Sequence, residues 1–356
     1  MCDNEHQNDR ELSIIEKNIL DSLIWLLYKN KECDKHTANY IADLLYNENF
    51  NNFNKIDILK RVKKIKKYRT KLAELKEYPL IKQRSSEWFE LRKNRLTASD
   101  LYDAIGKSNT ILAKKKAGVL IDNTNFNNIA PLKWGTMFEP MAIRCYSQKN
   151  NDIIVNEFGL IPDKKLEHFG ASPDGITELG IMIEIKCPYT RKLIDNYIPP
   201  KYYSQIQGQL AVCELEECDY IECNFKTFET EEEYIGENKE SIIDHGIIGE
   251  FKNKESSEYS YLYSDEYLNT INGINNINSK ILLKNQEDNS VYFNKLIYWK
   301  LEKINVQKVL YDDKEWCNII PKINSFWEKV ENSKSLPVEY KKEKKIEKFA
   351  FIPEDD

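Results

Sequence analysis

Between Ile181 and Cys187 an isoleucine stands at every second position (Ile181, Ile183, Ile185), and Glu184 and Lys186 fill two of the places between them. The alternation predicts a strand. Side chains alternate across a strand, so Glu184 and Lys186 share one face while Ile183 and Ile185 share the other. A charge buried alone on such a strand is costly, so the pair needs water, each other or a metal. Just upstream, "FGASPDGI" places Asp174 in a Pro-Asp-Gly turn, where ordinary turn chemistry alone would account for it.

The charge balance limits which partners the chain can meet. A formal net charge of -6 over 356 residues excludes a uniformly basic nucleic-acid coat. Charge is instead segregated. "KIDILKRVKKIKKYRTKLAELKEYPLIKQR" is strongly basic and "CELEECDYIECNFKTFETEEEYIGENKE" strongly acidic, so the two are expected to face different surroundings. The lysine-rich helix from Lys55 to Lys76 is expected to touch a phosphate backbone, against the ordinary alternative of a solvated face. No apolar run reaches the length of a membrane span, and "MCDNEHQNDRELS" lacks the order of a secretory signal, so an intracellular protein without membrane contact is expected. Eight cysteines then read as free thiols. Cys213, Cys218 and Cys223 recur at regular intervals, but without a tight C-x-x-C pair they read as buried apolar thiols rather than a cluster site.

Helical periodicity runs through residues 11–30, from about Lys35, and from Ile56 to Tyr78, where Pro79 stops it. These helices predict an N-terminal helical module over 1–80. Further helices are expected over 86–93, 98–105 and from near Gly135. "IIVNEFGLIP", "FGASPDGI" and "GIMIEIKCP" read as successive strands. "PPKYYSQIQGQLAVCEL" reads as a helix, "CDYIECNFKT" as a strand and "EYSYLYSD" as an edge strand. A strand-like entry and an aromatic-rich helix end the unit. The order is α/β: a mixed sheet flanked by helices over 81–335, with a charged tail over 336–356.

Glu139, from the helix through "WGTMFEP", Asp174, Glu184 and Lys186 can converge on one point. That set suits a hard cation. Magnesium takes oxygen ligands and keeps several waters, so two or three carboxylates with the carbonyl of Ile185 suffice. Asp174 followed by Glu184-x-Lys186 resembles the signature of the PD-(D/E)XK nuclease superfamily. More narrowly, "EWFELRKNRLTASD", "WGTMFEP", "GASPDGI", "IEIKCPY" and "YYSQIQGQL" follow the order typical of lambda-exonuclease-like, YqaJ-type viral recombinase nucleases, over roughly residues 85–225.

The resemblance implies a restriction-endonuclease-like core. It implies Mg²⁺, with Mn²⁺ as a substitute and two ions in the site, bound by Glu139, Asp174 and Glu184, with Lys186 assisting water attack. It puts a terminal 5′ phosphate on Arg92 and Ser99, with Arg95 as an alternative. Within "YYSQIQGQL" it favours Gln205, with Gln209 as a second candidate and Gln207 on another face. The implied activity is a 5′→3′ exonuclease on double-stranded DNA ends, serving recombination, replication or repair of a phage or large DNA virus, in an infected-cell cytoplasm if viral. The implied partners are a single-strand annealing protein and further copies of the chain. The competing readings are a restriction-type endonuclease on the same core and a nuclease-like module that only binds nucleic acid. A glycosidase using Asp174 and Glu184 is poorly served by Lys186.

Overall fold

The structure is a computed structural model that describes residues 55–340 except 82–84, 122–128, 151, 238–243, 257 and 267, together with residues 28, 29 and 38. Of the helices expected over 11–30 and from Lys35, only residues 28, 29 and 38 are described, and each is helical. Nearly all of the charged tail, residues 341–356, lies outside the described residues.

The main sheet has seven strands. In spatial order they are β10 (Tyr259–Tyr263), β9 (His245–Asn253), β11 (Val291–Leu310), β8 (Glu217–Phe228), β7 (Met182–Lys186), β6 (Gly175–Thr177) and β3 (Val155–Asn156). Every neighbouring pair is antiparallel except β7 and β8, which run parallel from Met182↔Cys218 to Lys186↔Glu222. A parallel pair cannot be closed by a hairpin and needs a crossover. Here the crossover is helix α6 (Pro200–Cys213), so α6 lies over one face of β7 and β8. Met182, Cys218 and Tyr220 on that face join Ile206 and Leu210 of α6 in one core. Ile183, Ile185 and Ile221 on the opposite face join Phe138, Met141 and Ala142 of α5 (Ala130–Lys149) in a second. The alternation in the sequence thus decides which core each side chain enters.

A smaller three-stranded sheet sets β1 (Leu96–Thr97) parallel to β5 (Phe169–Ala171), which pairs in turn with β4 (Ile161–Pro162). It links the segment after helix α2 (Ser86–Lys93) to the turn that carries Asp174. The stretch expected as one strand over "FGASPDGI" is therefore two strands, β5 and β6, in different sheets. The expected helix over 98–105 is a single turn at Ala98–Asp100 followed by α3 (Leu101–Ile105). Helix α5 begins at Ala130 rather than near Gly135, with Pro131 in its first turn, where the missing amide costs nothing. The edge strand in "EYSYLYSD" is β10. Strand β9 and the asparagine-rich helix α8 (Thr270–Glu287) had not been anticipated, and β11 runs far beyond the strand-like entry expected of it. The closing helix is α9 (Asp313–Ser333), whose Trp316 is buried; Trp299 on β11 is wholly buried.

Helix α1 (Lys55–Leu75) corrects two expectations. Its lysines do not face surroundings different from those of the acidic segment. Lys64 pairs with Glu217 at 2.8 Å, Lys67 with Glu216 at 2.7 Å, and Lys71 with Glu214, so these three lysines meet the acidic entry to β8. Nor does residue 80 mark a break in packing. Tyr68, Leu72 and Leu75 sit in the same core as Leu96, Met182 and Ile206, and Ile65 sits in the core of α5. Arg69 donates to the carbonyl of Glu178 at 3.2 Å, in the turn between β6 and β7. Gly180 in that turn has φ +77°, and a Cβ there would stand 2.3 Å from the Cβ of Tyr68.

Gly180→Ala should therefore cost roughly 2–4 kcal/mol of unfolding free energy, combining left-handed backbone strain with overpacking. Urea unfolding measures it, and a loss near zero would mean that α1 does not brace this hairpin. Replacing Lys64, Lys67 and Lys71 together by Gln should lower stability while leaving the salt dependence of DNA binding unchanged, as fluorescence anisotropy across a salt series would record.

Candidate active site

The strand ends where its charged residues begin to matter. Glu184 is wholly excluded from solvent, on the α6 face of β7. Its Oε1 accepts from Nε2 of Gln205 at 2.7 Å and from Nζ of Lys186, and its Oε2 accepts from Nε2 of Gln209 at 2.7 Å. Gln205 and Gln209, one turn apart, thus both reach this carboxylate. Gln207 faces elsewhere: its Nε2 donates to the carbonyl of Leu310 and its Oε1 accepts from the amide of Asp312, which ties α6 to the start of α9. Three donors to a buried carboxylate offset much of its desolvation, and the two amides do so without neutralising it.

Asp174, half-buried before β6, accepts from the amide of Ile185 at 2.7 Å through Oδ2. That bond pins the turn to the end of β7, eleven residues along the chain. Loss of solvent pushes the Asp174 carboxyl well above the usual carboxylate range, and the charges of Glu184 and then Glu139 push it further; Lys186 and the Ile185 amide only partly oppose them. Lys186 shifts upward: burial opposes its charge, but Glu184 and Asp174 outweigh burial. Its ammonium also lies 4.8 Å from the ring centre of Tyr202 on α6. Glu139, Ile185, Lys186 and Tyr202 line one cleft of about 240 Å³. The four residues expected to converge do so, drawn from a helix, a turn and a strand.

The donor chemistry fits a hard cation. Loss of solvent, and then the charges of Glu184 and Glu139, favour protonation of Asp174, which a divalent ion would relieve. Among the described residues no three His, Cys, Asp or Glu side chains form a ready-made cage. Magnesium does not require one, because it retains waters and needs few protein oxygens. The groups that could hold such an ion are Asp174, Glu184, Glu139 and the carbonyl of Ile185.

The second group of expected residues gathers around the turn after β1. Arg92 donates through Nη2 to Oγ1 of Thr97 at 3.0 Å and to Oγ of Ser99 at 3.2 Å, and its guanidinium lies 4.2 Å from the ring centre of Trp88. Burial pulls its pKa below the usual value, against the charge of Asp100. Arg95 is held differently. It donates to the carbonyl of Leu91, one turn back, rather than to the hydroxyls. The arginine associated with Ser99 is therefore Arg92. Thr97 and Lys116 are members of this group that the sequence reading did not assign. Lys116 donates to the carbonyls of Arg92 at 3.2 Å and Arg95 at 2.8 Å and pairs with Asp100 at 3.4 Å. Thr97 stood in the quoted "TAS", whereas nothing set Lys116 apart within a run of three lysines.

Helix α6 joins the two groups. A Cβ at Gly208 would stand 3.1 Å from Leu101, 3.1 Å from Phe169 and 3.3 Å from Ala98, so the glycine between Gln205 and Gln209 lets α6 approach the turn that carries Ser99.

A mixed sheet flanked by helices, with an acidic cluster at the end of its parallel pair, is the restriction-endonuclease-like α/β fold. Residues 87–216, which hold both groups, match the YqaJ-like viral recombinase domain. An uncharacterized protein of Acanthamoeba polyphaga mimivirus is 26% identical over 340 residues, covering 80% of this chain. The chain spans 61% of the length of that relative. An alkaline exonuclease from Laribacter hongkongensis is 20% identical, with a TM-score of 0.41 over 70% of this chain and 93% of its own. A phage-related exonuclease from Haemophilus somnus is 12% identical, with a TM-score of 0.33 over 67% of this chain and 93% of its own.

The Asp174 shift has a direct thermodynamic consequence. A carboxyl whose folded pKa is raised binds its proton more tightly in the folded state, so stability falls as pH rises from the ordinary value of 3.8 through the raised one. In chelator-treated protein, Asp174→Asn should therefore raise the melting temperature at neutral pH and lose that gain below pH ~4. A variant that melts at or below the wild-type temperature at neutral pH would show that the folded protein does not disfavour the charge of Asp174.

Proposed function

We propose that the chain is a Mg²⁺-dependent deoxyribonuclease acting as a 5′→3′ exonuclease on double-stranded DNA ends. The observation that carries the reading is the wholly buried carboxylate of Glu184, held at the end of a strand by Gln205, Gln209 and Lys186 and set beside Asp174. A protein that only bound DNA would have no use for three carboxylates beside an anionic ligand, since each repels a phosphate.

Each residue has a part in hydrolysis. Asp174, Glu184, Glu139 and the Ile185 carbonyl would hold magnesium, which when bound would supply positive charge to the reacting phosphate. Lys186, kept protonated by its two carboxylate neighbours, orients the attacking water and stabilises charge that grows on the phosphate in the transition state. Gln205 holds one oxygen of Glu184, and Gln209 fixes the other oxygen of the same carboxylate. Arg92, stacked on Trp88, presents a forked donor with the hydroxyls of Thr97 and Ser99, a set that suits the extra oxygens of a terminal phosphate. Such an enzyme would act in recombination or repair of viral DNA, beside a single-strand annealing protein.

Glu184→Gln should lower cleavage of linear duplex by at least ~10²-fold while leaving DNA affinity in chelator largely intact. Wild-type protein should prefer 5′-phosphorylated ends and spare covalently closed circles. Arg92→Ala should slow phosphorylated ends by roughly ten- to a hundredfold and hydroxyl ends much less. Comparable rates on closed circles, with no preference for a 5′ phosphate, would replace the exonuclease with an endonuclease on the same core.

A further inference from the structure

The cleft contains a second cation that the roles above leave unused. Arg191 stands in the connection between β7 and α6, five residues beyond Lys186, and lines the cleft together with Glu139, Lys186 and Tyr202. Its Nη2 donates to Oε1 of Glu222 on β8, which also accepts from the hydroxyl of Tyr220 at 2.9 Å. Glu222 is the parallel-ladder partner of Lys186, so both side chains lie on the face that carries Glu184. Glu222 is wholly buried, and its other carboxylate oxygen has no hydrogen-bond partner.

A buried carboxylate of this kind is an expensive way to stabilise a fold, since breaking the pair strands a charge and an apolar replacement is often neutral. What the pair does achieve is orientation. A guanidinium held by a fixed carboxylate at the rim of a cleft keeps its planar array of donors in one place. The electrostatics of the cleft call for such a group. Glu139, Asp174 and Glu184 repel an entering phosphate, and Lys186, bonded to Glu184, serves the reacting phosphate rather than the one beside it. Burial disfavours the charge of Arg191, but the hydrogen bond and charge of Glu222 more than restore it.

We propose that Arg191 binds a backbone phosphate of the nucleic acid beside the reacting one, and that Glu222, braced by Tyr220, is its positioning residue. The proposal rests on the reading of the chain as a nuclease, and the two are separated by measuring binding without catalysis. A 5′-phosphorylated duplex oligonucleotide in chelator, titrated over a range of salt concentrations, reports the contact directly. Arg191→Ala should weaken binding roughly ten- to a hundredfold and reduce the salt slope by about 0.9, the value of one lost phosphate contact. Glu222→Gln should weaken binding less and leave the slope unchanged, because the cation is still present but no longer clamped.

Arg191→Ala alone strands the buried Glu222, so the double variant Arg191→Ala/Glu222→Gln is measured beside it. The double variant should fold and still show the lower slope. A purely structural ion pair predicts the opposite pattern: lower melting temperatures, with affinity and slope per folded molecule unchanged. That result, in a protein that still cleaves DNA, overturns the role of Arg191 and leaves the nuclease reading intact. Wild-type protein that neither binds nor cleaves the duplex overturns both.

Discussion

The architecture turns on a carboxylate that has no water. Glu184 can stay in place because Gln205, Gln209 and Lys186 occupy both its oxygens, and the two glutamines are placed by one crossover. A parallel pair of strands demands a connecting helix, and that helix must lie on the sheet face where Glu184 points. The requirement that closes the β7–β8 connection thus also delivers the side chains that hold the buried charge. Removing the donors would leave an unsatisfied carboxylate in the core, so the site and the fold at this point are one structure.

Two further constraints bring the rest of the site to Glu184. The amide of Ile185 binds Asp174, which ties the preceding turn to the strand end at a fixed distance. Gly208 has no side chain to hold α6 away from Ala98, Leu101 and Phe169, so the segment with Arg92, Thr97 and Ser99 packs closely on the helix that carries both glutamines. A phosphate-binding group and an acidic cluster are thereby joined through a single helix. The small parallel sheet of β1 and β5 provides a second link between them.

Helix α1 shows how charge can mislead when it is read along a chain. Three of its lysines, Lys64, Lys67 and Lys71, are matched by Glu217, Glu216 and Glu214 at the start of β8 and do not face surroundings apart from the acidic segment. The cations that remain near the reactive groups are few and individually held: Arg92 by stacking and two hydroxyls, Lys186 by Glu184, Arg191 by Glu222. A chain of net charge -6 can meet a polyanion when a few cations are concentrated where they act. Packing also carries α1 into the main core, where Tyr68 rests on Gly180 and braces the turn between β6 and β7.

Much of this was legible in the sequence because it depends on local period and residue chemistry. Alternation over 181–187 placed Glu184 and Lys186 on one face and the isoleucines on the other, and the helical spacing of Gln205 and Gln209 placed them together, with Gln207 apart. The α/β order, the Pro-Asp-Gly turn and the edge strand β10 follow from the same short-range rules. Glu222 carried the same signal as Glu184, a carboxylate in an apolar strand, but its meaning depended on Arg191, thirty-one residues away in the chain. What only the tertiary structure decided was pairing across distance: which carboxylate each lysine of α1 meets, that Lys116 closes on the carbonyls of Arg92 and Arg95, that "FGASPDGI" divides between two sheets, and that the core continues across residue 80. Local propensity constrains which face a side chain occupies; it does not specify which distant element covers that face, because such contacts depend on the packing of the whole fold.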